Sequence, residues 1–195
     1  MTDFKLTLYG EFGAGKTSLT NRLLHNNFNY SQSTIGASFM SWKPDLKHQD
    51  QSSRVNFGIW DTAGQERFSN LLPMYLRNAD AVFYCWDYNT PFNRETANNM
   101  YTNAKEHSPN CLFYLVLTKI DKTKDDDIVK TDAELFAKDK EIDGIFYTSS
   151  LTGDGVQDLF IATARKLLSK LRAARFPNTI PINHRRISRD CCVII

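Results

Sequence analysis

The chain is predicted to fold as an α/β domain with a mostly parallel, six-stranded sheet that carries helices on both faces. Short apolar runs of strand length alternate with longer segments in which apolar residues recur every three or four positions. Several of the short runs are apolar almost throughout, which is typical of strands that are covered on both faces. Strands that alternate with helices favour a doubly wound sheet, and such sheets bind ligands at the carboxyl ends of their strands.

Six segments are predicted as strands. The first alternates apolar and polar residues, the second and third form a hairpin around polar residues 48–53, and the last three are nearly continuous apolar runs. In chain order these strands cover residues 4–8, 38–46, 54–60, 81–88, 111–117 and 145–148.

Five segments have the periodicity of helices. One begins at Thr17, and the clearest is 156–171, where apolar residues recur at spacings of three and four. The others cover residues 71–78, 93–107 and 131–138. The helical pattern stops near residue 173, and residues 176–190 carry two prolines and few apolar side chains. We expect one domain over residues 1–172 and a flexible tail over residues 173–195.

Composition indicates one globular domain made and kept in the cytosol. The chain has 195 residues, of which 42% are hydrophobic and 24% are charged. The start of the chain lacks the apolar run of a signal peptide, and no apolar stretch is long enough to span a membrane. The net charge is only +2, but residues 165–195 hold eight Lys and Arg against one Asp, so the tail is basic. Cys85 and Cys111 lie inside apolar runs and are predicted to be buried.

The glycine-rich segment between the first strand and the first helix fits the phosphate-loop pattern G-x-x-x-x-G-K-[ST] over residues 10–17. Its glycines let backbone N–H groups converge on phosphate oxygens, and the helix N-terminus adds partial positive charge. Lys16 can reach the β- and γ-phosphates, and the Thr17 hydroxyl can bind Mg²⁺. The strand–loop–helix context disfavours the alternative, a turn without a ligand. The predicted phosphate-binding residues are Gly13, Ala14, Gly15, Lys16, Thr17 and Ser18.

A second motif, Asp61-Thr62-Ala63-Gly64-Gln65, directly follows the third strand. An acid at the end of an apolar strand is what a Mg²⁺ site needs, and Asp61 is predicted to hold the metal through a water molecule. The Gly64 N–H is predicted to meet the γ-phosphate, while Gln65 orients the attacking water. Gln65 and Lys16 are therefore the predicted catalytic residues.

The third and fourth motifs follow the last two strands and indicate which base is bound. In Thr118-Lys119-Ile120-Asp121, the Asp121 carboxylate can accept two hydrogen bonds from guanine N1–H and the 2-amino group, a donor pair that adenine lacks. This favours GTP over ATP; the alternative is an ordinary strand-to-helix turn with a capping acid. In Ser149-Ser150-Leu151, the Ser150 N–H can meet guanine O6.

These four motifs occur in the order found in Ras-superfamily small GTPases, and the chain resembles a Rab over residues 3–172 and the last five residues. The resemblance implies the P-loop NTPase small G-protein fold and a GTP/GDP switch in vesicle trafficking that hydrolyses GTP with Mg²⁺. It implies an exchange factor, a GTPase-activating protein, a GDP-dissociation inhibitor and effectors as partners. We expect a monomer that does not bind nucleic acid.

The resemblance also assigns roles to residues outside the four motifs. Thr34 becomes the second Mg²⁺ ligand, ordered only when the γ-phosphate is present, and Phe28 packs over the guanine. Phe39, Trp60 and Tyr75 match the aromatic triad that Rab effectors read. Residues 34–39 and 72–75 are similar to the early-endosomal Rab branch, which implies the cytoplasmic face of endosomal membranes.

The last five residues, Cys191-Cys192-Val193-Ile194-Ile195, end the basic tail. They fit either a Rab double-cysteine end or a C-a-a-X box on Cys192 with a second lipid on Cys191. Two lipid chains together with nearby arginines give stable membrane anchoring. One lipid, two lipids and two unmodified thiols stay open as alternatives.

Four positions depart from the family pattern. Phe12 stands where Rabs usually carry a small residue; a phenyl ring there is expected to crowd Gln65 and an arginine finger, which slows hydrolysis. The alternatives are a harmless outward-pointing ring and, at the other extreme, a chain that stays loaded with GTP as an effector platform. Thr118 replaces the usual Asn, and base binding is expected to survive this change. Ser150-Leu151 replaces Ala-Lys, so a looser base pocket is expected. A nucleotide kinase is disfavoured, because no second acceptor site or lid arginines are found.

Overall fold

The computed structural model describes residues 2–29, 33–48, 51–64, 70–122 and 127–175. Their strands and helices alternate along the chain as the sequence predicts. The strands are β1 (Thr2–Tyr9), β2 (Ala37–Trp42), β3 (Asp45–His48), β4 (Gln51–Thr62), β5 (Ala81–Asp87), β6 (Leu112–Thr118) and β7 (Gly144–Thr148). The helices are α1 (Lys16–His25), α2 (Leu72–Leu76), α3 (Arg94–His107), α4 (Asp127–Asp139) and α5 (Val156–Arg175), with a short 3-10 helix at Ile120–Lys122.

The strands form one sheet in the order β2-β4-β1-β5-β6-β7, and β3 also pairs with β4. All neighbours from β4 to β7 are parallel, whereas β2 and β3 are antiparallel to β4. Seven strands therefore fill six positions of the sheet. The predicted fold class, a mostly parallel α/β sheet with helices on both faces, is confirmed.

The segment predicted as one strand, residues 38–46, is divided into β2 and β3. Trp42 pairs with Phe57 and Asp45 pairs with Arg54, so the register with β4 does not shift between the two strands. The interruption lies at Lys43 and Pro44, and proline has no N–H to donate to a ladder. Pro44 thus breaks the hydrogen bonding without breaking the hairpin.

The core lies on both faces of the sheet, and β5 shows how the alternation of side chains serves both. Phe83 and Cys85 face the cluster that contains Leu19 of α1 and Leu159 of α5. Tyr84 and its neighbours on the opposite face join the cluster under α3 and α4. Since β5 lies in the middle of the sheet, nearly every one of its side chains is buried, as its continuous apolar sequence predicts. Cys85 and Cys111 are buried free thiols, as expected.

The helices differ from their predicted bounds at several ends. The predicted helix 71–78 is only the five residues of α2, with Pro73 in its first turn. The start of α3 is fixed by Asn93, whose side chain accepts a hydrogen bond from the Thr96 N–H at 2.9 Å. The structure begins α4 at Asp127 rather than 131 and continues α5 to Arg175. Residues 176–195, most of the expected tail, lie outside the described residues. Among the helices that are described, none is long and apolar enough to cross a membrane.

Two leucines on helices differ in burial, which predicts a large difference in how much their replacement by alanine lowers the free energy of unfolding. Leu159 is fully buried, whereas Leu135 on α4 is 46% exposed. We expect Leu159→Ala to lower the free energy of unfolding by about 2–5 kcal/mol, because it removes packed methyl groups and leaves a cavity. Leu135→Ala, the matched control with the same change in helix propensity, should cost less than about 1 kcal/mol. Urea unfolding at one fixed nucleotide concentration measures both, and equal shifts of the midpoint would contradict this core assignment.

Candidate functional site

The loop between β1 and α1 is held by close backbone contacts. A Cβ atom on Gly10 would lie 2.2 Å from the Cys85 carbonyl oxygen, so only glycine fits there. Gly13 and Gly15 adopt φ of 76° and 83°, in the left-handed region that favours glycine. The sequence pattern thus reflects a backbone path that requires these glycines.

Lys16 is folded back under this loop. Its side chain is only 5% exposed, and its Nζ donates hydrogen bonds to the carbonyl oxygens of Gly10 and Glu11, both at 2.8 Å. Burial lowers the pKa of the Lys16 ammonium, an effect that the charges of nearby acidic groups, Asp61 among them, oppose. A buried cation with carbonyl partners gains from a neighbouring anion, which is what a phosphate supplies.

The first turn of α1 faces the same space. Gly15 is its N-cap, and among the described residues no side chain caps this turn and no acid lies in it. The N–H groups at a helix start have no partner within the helix, and the helix dipole favours negative charge there. The predicted phosphate residues, from Gly13 to Ser18, therefore form one concave, electropositive surface.

Three oxygen-bearing side chains converge beside this surface. The Thr17 hydroxyl donates to Asp61 Oδ2 at 2.6 Å and lies 2.9 Å from the Thr34 hydroxyl. Asp61 is fully buried, and its Oδ1 has no hydrogen-bond partner among the described residues. Burial raises the pKa of Asp61, while the Thr17 hydrogen bond and the Lys16 charge lower it. An orphaned carboxylate oxygen next to two hydroxyls is an all-oxygen donor set, which fits Mg²⁺.

A cavity of about 670 Å³ joins this end of the site to a second end formed by the β6 and β7 loops. Most of the predicted nucleotide residues line it. They are Gly13, Gly15, Lys16, Thr17, Ser18, Phe28, Thr34, Gly64, Thr118, Lys119, Asp121, Ser150 and Leu151. Ala14 and Ser149 are buried behind this lining. The elongated cavity therefore brings together motifs that are more than 130 residues apart in the chain.

Thr118 connects the two ends. Its hydroxyl lies within hydrogen-bond distance of the Ala14 carbonyl (2.8 Å) and the Trp86 carbonyl (3.0 Å), which joins the glycine loop to β5 and β6. Beyond it, the Asp121 carboxylate accepts a hydrogen bond from the Ser149 hydroxyl. Threonine at position 118, where the family pattern has asparagine, thus ties the glycine loop to the central strands.

Two residues that the sequence analysis missed support the base end. Asp87, at the end of β5, accepts a hydrogen bond from Lys119 Nζ at 2.7 Å. Burial acts to raise the pKa of Asp87, but the hydrogen bonds from Lys119 and Asn89 outweigh it and hold the pKa below its usual range. An acid at the end of an apolar strand, the signal already used for Asp61, marks Asp87 as well. The second residue is Arg22 of α1, whose guanidinium donates to the carbonyls of Ser150 and Leu151.

Phe12 and Gly64 lie at the edge of the phosphate end. Phe12 is 63% exposed and lines the cavity, so its ring faces both solvent and the space beside the loop. A Cβ on Gly64 would lie 2.4 Å from the Glu11 carbonyl oxygen and 2.6 Å from Lys16 Nζ, so the backbone at Gly64 is pressed against the loop. Gln65, the other predicted catalytic residue, lies outside the described residues, as do Cys191 and Cys192.

The predicted aromatic triad forms a continuous stack on one surface. The ring centroids of Phe39 and Trp60 are 5.1 Å apart, and those of Trp60 and Tyr75 are 5.6 Å apart. β1 supports this stack, since the Thr7 hydroxyl donates to the Tyr75 carbonyl at 2.9 Å and Lys5 Nζ lies 5.7 Å from the Trp60 ring. Phe39 is exposed, so the stack offers an apolar contact surface beside the cavity.

Comparison with known proteins identifies the family. The model of the Ras family matches residues 5–169, which covers the glycine loop, both strand-end acids and the base-end motifs. The chain belongs to the Ras family. It is 36% identical to the GTP-binding protein ypt5 of Schizosaccharomyces pombe over 176 residues, which is 88% of this chain and 82% of the relative.

Two further relatives of this Ras-family chain carry Rab names. The Ras-related protein Rab-5A of Dictyostelium discoideum is 35% identical over 168 residues, 84% of this chain and 80% of its own length. The Ras-related protein Rab5A of Oryza sativa subsp. japonica is 33% identical over 197 residues, 96% of this chain and 94% of its own length. The prediction of a Rab-family small GTPase of the early-endosomal branch is confirmed.

The contact between Asp87 and Lys119 predicts how firmly this Ras-family chain holds guanine nucleotide. Asp87→Asn removes the charge that fixes Lys119 at the base end, and we expect GDP to dissociate about fivefold faster, in line with about 1 kcal/mol for a partly buried pair. Asp139→Asn, which breaks the exposed pair with Arg94, is the matched control and should leave the rate unchanged. Chase of labelled GDP measures both.

The pKa of Asp87 adds a pH condition to this prediction. A carboxyl whose pKa is depressed in the folded chain stays ionised at every pH above its usual range, and its contribution is lost only as the pH falls through the lowered pKa. The rate ratio between Asp87→Asn and wild type should therefore stay constant from about pH 5.5 to pH 8. A ratio that shrinks toward one within this range would show that Asp87 is not ionised as the geometry requires.

Proposed function

We propose that this chain is a GTP/GDP switch in membrane trafficking that binds GTP with Mg²⁺ and hydrolyses it slowly to GDP and phosphate. The observation that carries the proposal is the orphaned, buried Asp61 Oδ1 beside the Thr17 and Thr34 hydroxyls, next to the buried Lys16. These groups lie at one end of a cavity whose other end holds Asp121. Such an arrangement suits a triphosphate at one end and a guanine at the other.

The chain's own groups would bind and orient the nucleotide. Lys16 and the N–H groups of the glycine loop would neutralise the phosphates, at the cost of the Lys16 bonds to two carbonyls. Asp121, held by Ser149, would accept from guanine N1–H and the 2-amino group. Phe28 lines the same end and would cover one face of the base.

Thr17 and Thr34 would hold Mg²⁺ directly, and Asp61 would hold it through a water molecule. When bound, the ion supplies charge neutralisation between the β- and γ-phosphates. Release of the Thr17 hydroxyl from Asp61 Oδ2 would free its oxygen for this role, since that bond is present in the structure. Thr34 lies in the segment before β2. The position of Thr34 would therefore depend on whether the γ-phosphate is present.

In the proposed hydrolysis Gln65 orients the attacking water, and the Gly64 N–H meets the γ-phosphate. The close approach of Gly64 to Glu11 and Lys16 supports this placement, because it brings that backbone to the phosphate end. Catalysis is then mostly positioning and charge neutralisation, with Lys16 as the main cation.

Loss of the γ-phosphate would release the segments around Thr34 and Gly64, and this would change the adjoining surface. The stack of Phe39, Trp60 and Tyr75 adjoins these segments and is the proposed effector surface. Exchange factor, GTPase-activating protein and GDP-dissociation inhibitor are the proposed regulators. Lipids on Cys191 and Cys192, with the basic tail, would hold the switch on the cytoplasmic face of endosomal membranes.

A second candidate function rests on Phe12. Its ring is 63% exposed at the cavity edge, where it would meet any arginine supplied by an activating partner. A chain that binds GTP but barely hydrolyses it would be a persistent effector platform rather than a timed switch. The two functions differ in turnover and share the same binding site.

Single-turnover hydrolysis separates them. We expect wild type preloaded with GTP and Mg²⁺ to convert it to GDP slowly, and Phe12→Ser to do so at least several times faster, because the ring no longer obstructs the phosphate end. Phe92→Leu, at a core ring that does not line the cavity, serves as a control for general effects of losing a phenyl ring. Bound GTP and GDP are resolved over hours.

Each outcome of this assay decides between the proposals. Steady conversion in wild type supports the switch. Persistent GTP in wild type with conversion in Phe12→Ser supports the platform. Equal rates for wild type and Phe12→Ser would show that Phe12 does not affect hydrolysis. Failure to load GTP at all would refute the nucleotide site.

The oxygen atoms of Thr17, Thr34 and Asp61 predict that nucleotide dissociates more slowly when Mg²⁺ is bound. Chelation of Mg²⁺ by EDTA should speed GDP dissociation from wild type by at least about tenfold, because the positive charge that the ion would supply to the phosphates is removed. In Thr17→Ala dissociation should already be fast, and EDTA should change it little. Thr20→Ala, one turn later on α1 and buried with its hydroxyl on the Thr17 carbonyl, should respond to EDTA like wild type. A full EDTA response in Thr17→Ala would exclude Thr17 as a ligand.

A further inference from the structure

Arg22 lies on α1, directly behind the base end of the cavity, and does not line the cavity itself. Its guanidinium donates hydrogen bonds to three backbone carbonyl oxygens. Nε donates to the Ser150 oxygen and one terminal nitrogen to the Leu151 oxygen, both at 2.6 Å, while the other terminal nitrogen donates to the Asn26 oxygen at 3.0 Å. The first two contacts cross about 130 residues of sequence, so α1 directly fixes the loop after β7.

The Arg22 bond to Ser150 and one neighbouring backbone hydrogen bond determine where two N–H groups point. A trans peptide is planar, with its N–H opposite its C=O. When Arg22 holds the Ser150 carbonyl, the Leu151 N–H must point away from α1. The preceding carbonyl, of Ser149, accepts the Gly153 N–H at 2.8 Å, which sets the Ser150 N–H in the same way.

Both N–H groups are available to a ligand. Ser150 and Leu151 line the cavity, and within the described part of the chain neither N–H donates to a protein group. A buried N–H without an acceptor costs free energy, as at Ser150, which is 8% exposed, and an acceptor on a ligand removes that cost. On guanine, the oxygen on C6 lies next to N1–H, one of the donors read by Asp121, and it offers lone pairs to N–H groups at this end.

The loop is shaped to receive the Arg22 side chain. Gly153 has φ of 97°, and a Cβ on it would lie 3.8 Å from Arg22 Cδ, so the turn packs along the arginine stem. A planar guanidinium can bond two neighbouring carbonyls at once, whereas a lysine ammonium at the same place is a single point charge on a flexible stem. The contact therefore depends on arginine in particular.

We propose that Arg22 is a positioning residue for base recognition. By holding the Ser150 carbonyl it keeps the Leu151 N–H aimed at the 6-oxygen of a bound guanine, beside the Ser150 N–H that the Gly153 bond orients. The inference rests on the proposed function, in that a guanine nucleotide occupies the cavity. It adds the Leu151 N–H as a second donor and makes the base pocket depend on a side chain that never contacts the nucleotide.

The test is a cycle that removes the arginine from the protein and the oxygen from the base. The full chain is loaded with GDP or with 2-aminopurine riboside diphosphate, which keeps the 2-amino group but lacks the 6-oxygen and the N1 proton, and dissociation is followed by chase with excess GDP. The loss of N1–H affects wild type and variant alike, so the cycle compares the effect of Arg22 with and without the 6-oxygen. We expect Arg22→Gln to speed GDP dissociation about tenfold, as loss of one or two oriented hydrogen bonds would. Dissociation of the 2-aminopurine nucleotide should change less than about twofold.

Two further variants keep the result interpretable. Arg22→Lys retains the charge and the aliphatic stem but not the planar guanidinium, and should speed GDP dissociation by a smaller factor than Arg22→Gln does. Dissociation of the 2-aminopurine nucleotide should again change little. Arg94→Gln removes an equal charge at an exposed ion pair and should change neither rate.

Every outcome has a meaning. Equal acceleration of both nucleotides by Arg22→Gln, or none, would overturn the positioning role. If wild type itself fails to bind GDP, or holds both nucleotides equally well, the proposed guanine site is wrong and the failure is not that of Arg22.

Discussion

The structure depends on a buried ammonium. Lys16 is enclosed beneath a loop of backbone, and its burial lowers its pKa and disfavours its charge. Two carbonyls at 2.8 Å compensate in part, and they do so only because Gly10 lets the loop lie directly on the Cys85 carbonyl. The glycines, the path of the loop and the nearby acid Asp61 therefore act together to stabilise one buried charge.

The sheet places everything else around that charge. β1, β4, β6 and β7 are parallel, so their carboxyl ends meet at one edge, and the glycine loop, Asp61, Asp121 and the Ser150 turn all follow from those ends. Both faces of the sheet are packed, which leaves this edge as the place where polar groups can gather. The Thr118 hydroxyl, in reach of Ala14 and Trp86, ties the parts together at the centre.

Sequence reasoning reached the elements and the motifs but not the contacts that tie them together. Alternating apolar runs were enough for the strands, and fixed spacing was enough for Lys16, Thr17, Asp61 and Asp121, because their chemistry is local to one loop each. Arg22 was missed because its partners are backbone carbonyls that any residue would offer, so no side-chain type marks them. The division of the second strand followed from Pro44, whose missing N–H outweighed the apolar alternation around it.

The unbroken register on either side of Pro44 has a consequence for how the hairpin can vary. Residues added or removed at its tip, beyond β3, change its length but cannot move Phe39 relative to Trp60, since that pairing is fixed from the other end. A single residue inserted at Lys43 would instead turn Leu46, which is buried, to the opposite face while leaving β2 in place. The distal hairpin can thus change in length without displacing the aromatic surface next to the cavity.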